Sequence, residues 1–357
     1  MINFTVGPVQ LSDEIMKIGG EQVPYFRTQE FSDLMLENER LIKKFVNASE
    51  DSKVVFLTGS GTASMEATIA NLLTKDDKIL VVNGGSFGHR FVELLELYEI
   101  PFDQIELKIG QPLTYDIISK YNPDDYTSFI VNVHETSTGV HYNLELIHDF
   151  CQKNNLFLIV DAISSFLVDE IDMIKNKIDV VITGSQKALA CQPGVSLLTM
   201  SPRAVERAYH NNPKCYYLNI KTALENMKRG QTPFTPAVGI LRQINYRLKS
   251  IDENGGAISE IEKVKKLSNY FRERIKNLPF EFVTTSPSNG VTALYSKNNK
   301  AYDIFLELKN HYGIWICPNG GELKEKIFRV GHIGDLSEND YDKLIASLNE
   351  MNNNGLL

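Results

Sequence analysis

The chain has 357 residues, of which 43% are hydrophobic and 23% are charged, a composition typical of a soluble globular protein large enough for two lobes. Its net charge of −8 argues against nucleic acid or an anionic membrane as a partner, because both bind basic patches. No apolar run approaches the roughly 20 residues that span a bilayer. The first residues, MINFTVGPVQLS, lack the basic and apolar segments of a signal peptide, so we expect a cytoplasmic protein.

The spacing of cysteine and histidine predicts neither a disulfide framework nor a metal site. The four cysteines are scattered and include no Cys-x-x-Cys pair. His134, His141 and His148 are evenly spaced, but the first ends an apolar run and the last lies in an amphipathic segment. One helix therefore cannot carry all three, and we expect no bound metal.

Short apolar runs alternate with amphipathic stretches over the first part of the chain. The predicted strands are, in order, 53–58, 78–83, 127–134, 156–162, 179–185 and 194–201. Helices are predicted between them at 62–73, 88–98 and 143–154. Nearly continuous Val, Ile and Leu indicates strands buried on both faces, and alternation with helices indicates a mostly parallel α/β sheet.

The pattern changes at about residue 236, where longer helices begin. One of them is predicted at 260–278, and the remaining elements are weaker strands near 280–285, 291–296 and 326–330 with helices at 302–312 and 337–351. This combination indicates a smaller α+β lobe. We therefore divide the chain into an N-terminal segment (1–20), a large domain (21–240) and a small C-terminal domain (241–357).

Ligands of open α/β sheets bind at the carboxyl ends of the strands, so the residues that follow the strands are the candidates for a site. The first strand leads into TGSGTASMEA, a turn of small residues that opens a helix. Its free N–H groups and the helix dipole would suit a phosphate on Ser60, Gly61 and Thr62, although such turns also occur for purely steric reasons. The segment matches neither of the glycine-rich nucleotide fingerprints.

Three further strand ends carry residues that could take part in binding or catalysis. Phe87, in NGGSFGHRF, could stack on a planar ring or fold under its loop. Asp161 ends an apolar strand, where it could cap a helix or pair with a protonated ring nitrogen. Lys187, in TGSQKAL, could be a solvated lysine or could form an imine with an aldehyde. Phosphate turn, aromatic ring, acid and lysine together match the parts of pyridoxal 5′-phosphate.

Over nearly its whole length the chain resembles the class V aminotransferases, a family of fold-type I pyridoxal-phosphate enzymes. The segments that carry the resemblance occur in the family's order: TVGPVQLS, FRTQEF, TGSGTASMEA, NGGSFGHRF, VHETSTGV, VDAISSF, TGSQKALACQPGVSLL and FRVGHIGDL. The resemblance implies a large domain with a mostly parallel seven-stranded sheet, a smaller α+β domain, and an N-terminal segment that contacts the active site. It also implies a homodimer with shared active sites.

The resemblance also implies a reaction, the transfer of an amino group from a small amine or amino acid to pyruvate or glyoxylate. The 2-aminoethylphosphonate–pyruvate type is favoured over the alanine– or serine–glyoxylate type. By position, Lys187 resembles the Schiff-base lysine and Asp161 the partner of the pyridine nitrogen, and both are expected to be catalytic.

The remaining site residues follow from the same resemblance. The residues expected to bind the cofactor, besides Asp161 and Lys187, are Ser60, Gly61, Thr62 and Gln186 at the phosphate, Phe87 on the ring face, Thr138 at the ring oxygen, and Thr232 reaching the phosphate of the partner subunit. Arg329 is expected to bind the substrate carboxylate, and Gly7 to lie against the substrate.

Two other functions remain open at this point. A lyase or cysteine desulfurase would use the same fold and cofactor, with Cys317 as its nucleophile. However, Cys317 follows an apolar run and precedes a proline, so we expect a small buried residue there. A non-catalytic α/β ligand-binding protein would have no use for Lys187.

Overall fold

A seven-stranded sheet forms the centre of the structure, a computed structural model that describes residues 1–357. Its strands are β1 (Lys53–Thr58), β2 (Ile79–Asn83), β3 (Phe102–Glu106), β4 (Ser128–Asn132), β5 (Phe157–Asp161), β6 (Val180–Gly184) and β7 (Val195–Met200). Their order across the sheet is β1-β7-β6-β5-β4-β2-β3. Strand β7 runs antiparallel to both of its neighbours, and all other pairs are parallel. The carboxyl ends of β2, β4, β5 and β6 therefore meet at one edge.

Helices cover both faces of this sheet and pack elsewhere in the molecule. They are α1 (Asp13–Gly19), α2 (Gln29–Phe45), α3 (Gly61–Leu72), α4 (Ser86–Leu97), α5 (Tyr115–Ile118), α6 (Leu144–Gln152), α7 (Pro202–His210), α8 (Ile220–Met227), α9 (Val238–Glu253), α10 (Gly256–Arg274), α11 (Ala301–Glu307) and α12 (Glu338–Asn353). No helix is both long enough and apolar enough to cross a membrane.

Successive residues of the buried strands enter two separate cores, because side chains alternate between the faces of a strand. Leu158 and Val160 of β5 pack with α2, α6 and α9, whereas Phe157 and Ile159 pack with α3, α4, α7 and α8. All of these residues are fully buried. The apolar runs in the sequence thus belong to the middle layer of an α/β/α arrangement.

Short polar side chains fix where several helices begin. Asn143 precedes α6 and accepts hydrogen bonds from the backbone N–H groups of Glu145 and Leu146. Ser201 likewise precedes α7 and accepts from the N–H of Ala204. Such caps satisfy N–H groups that have no partner within the helix. Helix α3 lacks one, which matters for the site described below.

A second sheet of four antiparallel strands lies in the C-terminal part. Its strands are β8 (Phe280–Phe282), β9 (Val291–Ser296), β10 (Cys317–Pro318) and β11 (Ile327–Gly331), in the order β8-β9-β11-β10. Phe271 of α10, Phe328 of β11 and Tyr341 of α12 are among the residues of its core. Close to this core, Ile2–Asn3 pairs with Ile314–Trp315, so the beginning of the chain is attached to the C-terminal part.

The predicted α/β fold class is confirmed, and the predicted strands agree with observed ones within two residues at each end, apart from the run at 280–285, of which 280–282 is a strand. The elements that were not predicted are strand β3, the two-residue strand β10 and helices α1, α2, α5, α7 and α8. Strand β3 lies at the sheet edge and alternates polar with partly buried residues, so it lacks the continuous apolar pattern of its neighbours. The division into domains at residues 20 and 240 stays a prediction.

Candidate active site

Residues that follow β1, β2, β5 and β6 surround one end of the central sheet. Ser60 follows β1, Phe87 follows β2, Asp161 ends β5 and Lys187 follows β6. A side chain added at Gly61 would collide with Ile163, so the turn after β1 lies directly against the segment after β5. The parallel topology thus brings the four predicted positions into one region.

Lys187 is buried, with 7% of its surface exposed. Its Nζ donates a hydrogen bond to the carbonyl oxygen of Val6 at 2.6 Å. Burial lowers the pKa of Lys187 to about 8, while the nearby Cys317 raises it and Arg329 lowers it. A larger fraction of this amine is therefore uncharged near neutral pH than for an ordinary lysine.

The N-terminal segment lies along the stem of this lysine. Gly7 has φ +131°, a conformation that favours glycine, and a Cβ there would lie 2.8 Å from Cδ of Lys187. Any other residue at this position would push the lysine out of place. Gly7 thus lies against Lys187, and its expected contact with the substrate stays a prediction.

Asp161 is a second buried ionisable group, with 4% of its surface exposed. Its Oδ1 accepts from the N–H of Ile163 at 2.8 Å, and no protein group donates to Oδ2. Burial raises the pKa of Asp161 to about 7, and the hydrogen bond from Ile163 opposes this shift. A cationic N–H donor would favour the charged form of this carboxylate.

The N-terminus of α3 provides free backbone donors beside these two residues. Ser60 is its N-cap, but its side chain makes no capping hydrogen bond, and the first turn contains no acidic residue. The hydroxyl of Thr62 accepts from Nη1 of Arg90 at 3.2 Å. Open N–H groups, a helix dipole and a nearby guanidinium suit an anion such as phosphate.

The N-terminus of α4 is by contrast already occupied by a protein carboxylate. Oε2 of Glu135 accepts from the N–H groups of Phe87 and Gly88 and from the amide of Asn132. Its other oxygen accepts from the backbone and hydroxyl of Ser137. Glu135 is fully buried, so it fixes the first turn of α4 and with it the half-buried ring of Phe87.

Arg90 and Glu135 were not singled out from the sequence. The guanidinium carbon of Arg90 lies 5.0 Å from the ring centroid of Phe87, and the hydrogen bond of Arg90 to Thr62 links α4 to the first turn of α3. The segment NGGSFGHRF, quoted for Phe87, already contains Arg90. Only the fold shows which of its polar residues turns toward α3.

Three further predicted residues occupy different surroundings. Gln186 directly precedes Lys187, and its buried Oε1 has no hydrogen-bond partner. The hydroxyl of Thr138 is buried and donates to the carbonyl of Glu135 at 3.4 Å. Thr232 lines a pocket beside Thr58 at the end of β1, and its hydroxyl donates to the carbonyl of Phe234 while its own carbonyl accepts from Arg27. Within one chain it makes no hydrogen bond to the other site residues.

Arg329 of β11 is a buried cation without an ion-pair partner. Only 9% of its surface is exposed, and it takes part in none of the ion pairs in the structure. Nη1 donates to the carbonyl of Thr136 at 3.1 Å and Nη2 to that of Pro318 at 2.8 Å. The buried Nε has no partner. Such a guanidinium has strong affinity for a carboxylate.

Cys317 also belongs to this region, and the expectation of a small buried residue there is wrong. The residue is half-buried and pairs directly with Arg329 across strands β10 and β11. Its thiol acts on the pKa of Lys187, which places it near the amine. The sequence singled out Cys317 and Arg329 separately but could not show that their strands are adjacent.

The residues present fit pyridoxal 5′-phosphate. The uncapped N-terminus of α3 and the unpaired Oε1 of Gln186 offer polar groups without partners. Asp161 is a buried acid that lacks a cation, and Lys187 is a buried amine with a lowered pKa. The phosphate of the cofactor is complementary to the first two of these groups. Its protonated ring nitrogen is complementary to Asp161, and its aldehyde to Lys187.

Comparison with known proteins identifies the family. A model of the class V aminotransferases matches residues 22–322, which is most of the chain. The chain therefore belongs to the class V aminotransferase family. It is a pyridoxal-phosphate-dependent aminotransferase, which confirms the predicted family, enzyme class and cofactor.

Individual relatives cover nearly the same length. An uncharacterised aminotransferase of Methanocaldococcus jannaschii is 29% identical over 345 residues, which covers 94% of this chain and 88% of that protein. The soluble hydrogenase 42 kDa subunit of Anabaena cylindrica is 31% identical over 329 residues, 90% of this chain and 85% of that protein. The crystal structure of a subgroup IV aspartate aminotransferase from Thermus thermophilus superimposes with a TM-score of 0.90 at 25% identity, covering 98% of this chain and 99% of that one.

Relatives with named substrates are similar at slightly lower identity. Alanine–glyoxylate aminotransferase 1 of Saccharomyces cerevisiae is 28% identical over 92% of this chain and 90% of that protein. The 2-aminoethylphosphonate–pyruvate transaminase of Pseudomonas aeruginosa is 27% identical over 90% of this chain and 88% of that protein. Identities so close to each other do not favour one substrate pair.

Proposed function

We propose that this aminotransferase moves an amino group from a small amine or amino acid to a short 2-oxo acid, pyruvate or glyoxylate. One observation carries the proposal: the guanidinium of Arg329 is buried and has no carboxylate partner of its own. A charge of this kind is costly to bury unless an anion pairs with it. Every 2-oxo acid acceptor supplies a carboxylate.

In this proposal Lys187 binds the cofactor covalently and moves the proton at the substrate carbon. Because its pKa is lowered to about 8, the amine can act as nucleophile and base near neutral pH. Asp161 pairs with the ring nitrogen and keeps it protonated. The cofactor, when bound, supplies the electron-withdrawing ring that stabilises negative charge at the substrate carbon.

The other cofactor contacts are assigned by the groups that each residue offers. Ser60, Gly61 and Thr62 bind the phosphate at the N-terminus of α3, with Gln186 beside them. Phe87 covers one face of the ring, held by the bonds of α4 to Glu135. Thr138 offers its hydroxyl to the ring oxygen, for which its weak 3.4 Å bond to Glu135 would be exchanged.

Two residues face the substrate. Arg329 has donors left after its bonds to Thr136 and Pro318, and its planar fork can bind a carboxylate with two parallel hydrogen bonds. Gly7 leaves room beside Lys187, because any side chain there would meet the lysine stem. Together they orient the substrate carbon relative to the amine.

We also propose a cytoplasmic homodimer in which Thr232 contacts the cofactor phosphate of the partner subunit. Support comes from the aromatic surface near Thr232. The Tyr217 ring stacks on Phe234 at 5.2 Å, and the Tyr216 side chain is 84% exposed. Exposed aromatic clusters of this kind are common at interfaces between subunits.

The identity of the amino donor is the part of the proposal that an experiment must decide. We favour 2-aminoethylphosphonate over alanine, from the resemblance of FRVGHIGDL and of residues 215–235 to the phosphonate enzymes. The test mixes the holoenzyme rapidly with either donor, without acceptor, and follows the absorbance of the bound cofactor. Rapid loss of the cofactor absorbance with the phosphonate supports the preference. Loss with L-alanine alone would reverse it, and no change with any donor in a wider panel would contradict the proposed reaction.

A lyase or cysteine desulfurase is not proposed as an alternative. The nucleophilic cysteine of a desulfurase has to move, whereas Cys317 lies in a strand that pairs with β11. The family model supports aminotransfer instead.

A further inference from the structure

Cys317 and Arg329 lie on the same face of the small sheet. They are direct partners across the antiparallel pair β10–β11, and Ala293 of β9 is the partner of Arg329 on its other side. Side chains of directly opposed residues project to the same face, with Cβ atoms about 4.5–5.5 Å apart. The long arginine is therefore flanked by two small side chains.

The two flanking positions differ in how much room they leave. Ala293 is buried, and a Cβ added at Gly139 would lie only 3.2 Å from the Cβ of Ala293. The side of Arg329 that faces Ala293 is therefore filled. Cys317 is half-buried, and its thiol has one weak contact, to the carbonyl of Pro318 at 3.7 Å. The space beside the guanidinium is thus open on the side of the thiol.

Two charged groups around this space suit an anionic ligand. Arg329 is nine-tenths buried and has an unpaired Nε and no counter-ion. The pKa of Lys187, the amine at the reacting carbon, responds to both Arg329 and Cys317, so the two paired positions lie near that amine. The thiol therefore lies beside the group that attracts a carboxylate and near the group that performs the chemistry.

We propose that Cys317 forms the wall of the substrate pocket beside Arg329, and that small carboxylate-bearing electrophiles modify its thiol selectively. The inference rests on the proposed role of Arg329 as the carboxylate-binding residue. In a haloacetate, the reactive carbon is directly bonded to the carboxylate, so binding at Arg329 presents that carbon to the thiol. The Cys317 sulfur, having given its proton to solvent, forms a bond to the CH₂ carbon as the carbon–iodine bond breaks and iodide leaves.

The same position makes Cys317 a determinant of substrate size. A substrate whose carboxylate is bound by Arg329 has to pass its remaining atoms along the open side of the pocket. The Cys317 thiol is about as large as a methyl group, so a larger side chain at this position would narrow the pocket. Replacement of Cys317 with leucine is expected to raise KM for the larger of two donors more than for the smaller.

The test compares iodoacetate with iodoacetamide, which has nearly the same shape but no charge. The holoenzyme is treated with each reagent, and the labelled peptides are quantified by mass spectrometry over time. Cys215 is the matched internal control, because it is also half-buried and its thiol contacts the side chain of Asn71. We expect the iodoacetate-to-iodoacetamide rate ratio at Cys317 to exceed that at Cys215 by at least about tenfold, the effect of one charge-assisted contact.

Two further measurements link the selectivity to Arg329. Pyruvate is expected to slow carboxymethylation of Cys317 but not of Cys215, whereas sodium chloride at equal ionic strength should protect neither. In Arg329→Gln the ratio at Cys317 is expected to fall to that of Cys215. Equal ratios at both cysteines in the wild-type enzyme, or no protection by pyruvate, would overturn the inference.

The readout separates this inference from the proposed reaction, because labelling does not require turnover. Selective labelling in an enzyme that transfers no amino group would leave the inference standing and reject the reaction. Active transamination without selective labelling would do the reverse.

Discussion

Asp161 and Lys187 are both buried, and burial moves their pKa values toward neutrality from opposite directions. The pKa of Asp161 rises to about 7 and that of Lys187 falls to about 8. Burial disfavours the charged form of each group, and the cofactor supplies what each then lacks. These residues are therefore where substitutions have the most direct chemical consequence.

Asp161→Asn keeps the shape of the side chain and removes its charge. The cofactor is expected to bind still, while proton removal from the substrate slows because the ring nitrogen is no longer held protonated. Loss of one charge-assisted hydrogen bond of about 1.5–3 kcal/mol corresponds to roughly a ten- to hundredfold lower rate. Single-turnover kinetics with a bound donor measures it, and an unchanged rate would contradict the role of Asp161.

The lowered pKa of Lys187 predicts how the apoenzyme takes up its cofactor. Only the uncharged amine attacks an aldehyde, so the rate of covalent attachment should rise about tenfold per pH unit below pH 8. Above that value it should level off. An ordinary lysine would show no plateau until much higher pH. Stopped-flow absorbance with pyridoxal 5′-phosphate across pH 6 to about 10 distinguishes the two profiles.

What the sequence predicts at this scale depends on where a residue stands relative to a strand. Lys187 and Asp161 follow apolar runs, so the rule that ligands bind at strand ends leads to them directly. Glu135 lies in a polar segment, and its role arises only when the fold brings that segment to the start of α4. No local pattern encodes that approach.

At the scale of elements, the N-termini of α3 and α4 differ in what can bind them: that of α3 is free for a ligand, and that of α4 is bonded to a protein carboxylate. Helix α3 begins without a side-chain cap, and the first turn of α4 is bonded to Glu135. Helix α3 follows β1 and α4 follows β2, which are separated by four strands in the sheet, and only α3 has donors available for a phosphate. Sequence alone predicts both helices but not this difference, because both begin in turns rich in glycine and serine.

Glu135→Gln tests the part that α4 plays. Its amide can replace only part of the carboxylate's hydrogen bonds, so some buried donors lose their partner. We expect the free energy of unfolding to fall by about 1–3 kcal/mol and the affinity for cofactor to weaken, because Phe87 is held less firmly. Glu145→Gln, at an exposed carboxylate in the first turn of α6, is the matched control and should change little. Equal denaturation midpoints for the two variants and the wild type would contradict this role.

At the scale of the whole molecule, the sequence predicts the fold class well and its edges poorly. The buried strands stand out because apolar residues fill both faces, whereas β3 contains Asp103 and Gln104 on exposed or half-exposed positions. The two-residue strand β10 is too short for any periodicity. Since β10 carries Cys317 beside Arg329, part of the pocket could not be foreseen.

The proposed dimer predicts that surface changes near Thr232 reach the active site. Tyr217→Glu places a charge in the aromatic cluster with Phe234, so the dimer should dissociate more readily and cofactor affinity should fall with it. Tyr115→Glu, at a 65% exposed tyrosine elsewhere, is the control. Sedimentation velocity with and without cofactor measures both effects. A fully active monomer would rule out a site completed by the partner subunit.

The central claim is that Lys187 carries the cofactor, and one measurement tests it directly. Borohydride reduction of the holoenzyme makes the covalent link permanent, and peptide mass mapping then locates it. We predict the pyridoxyl mass on the peptide that contains Lys187, and no fixed cofactor in Lys187→Ala. Fixation on another lysine in the wild-type enzyme, or undiminished fixation in the variant, would contradict the account.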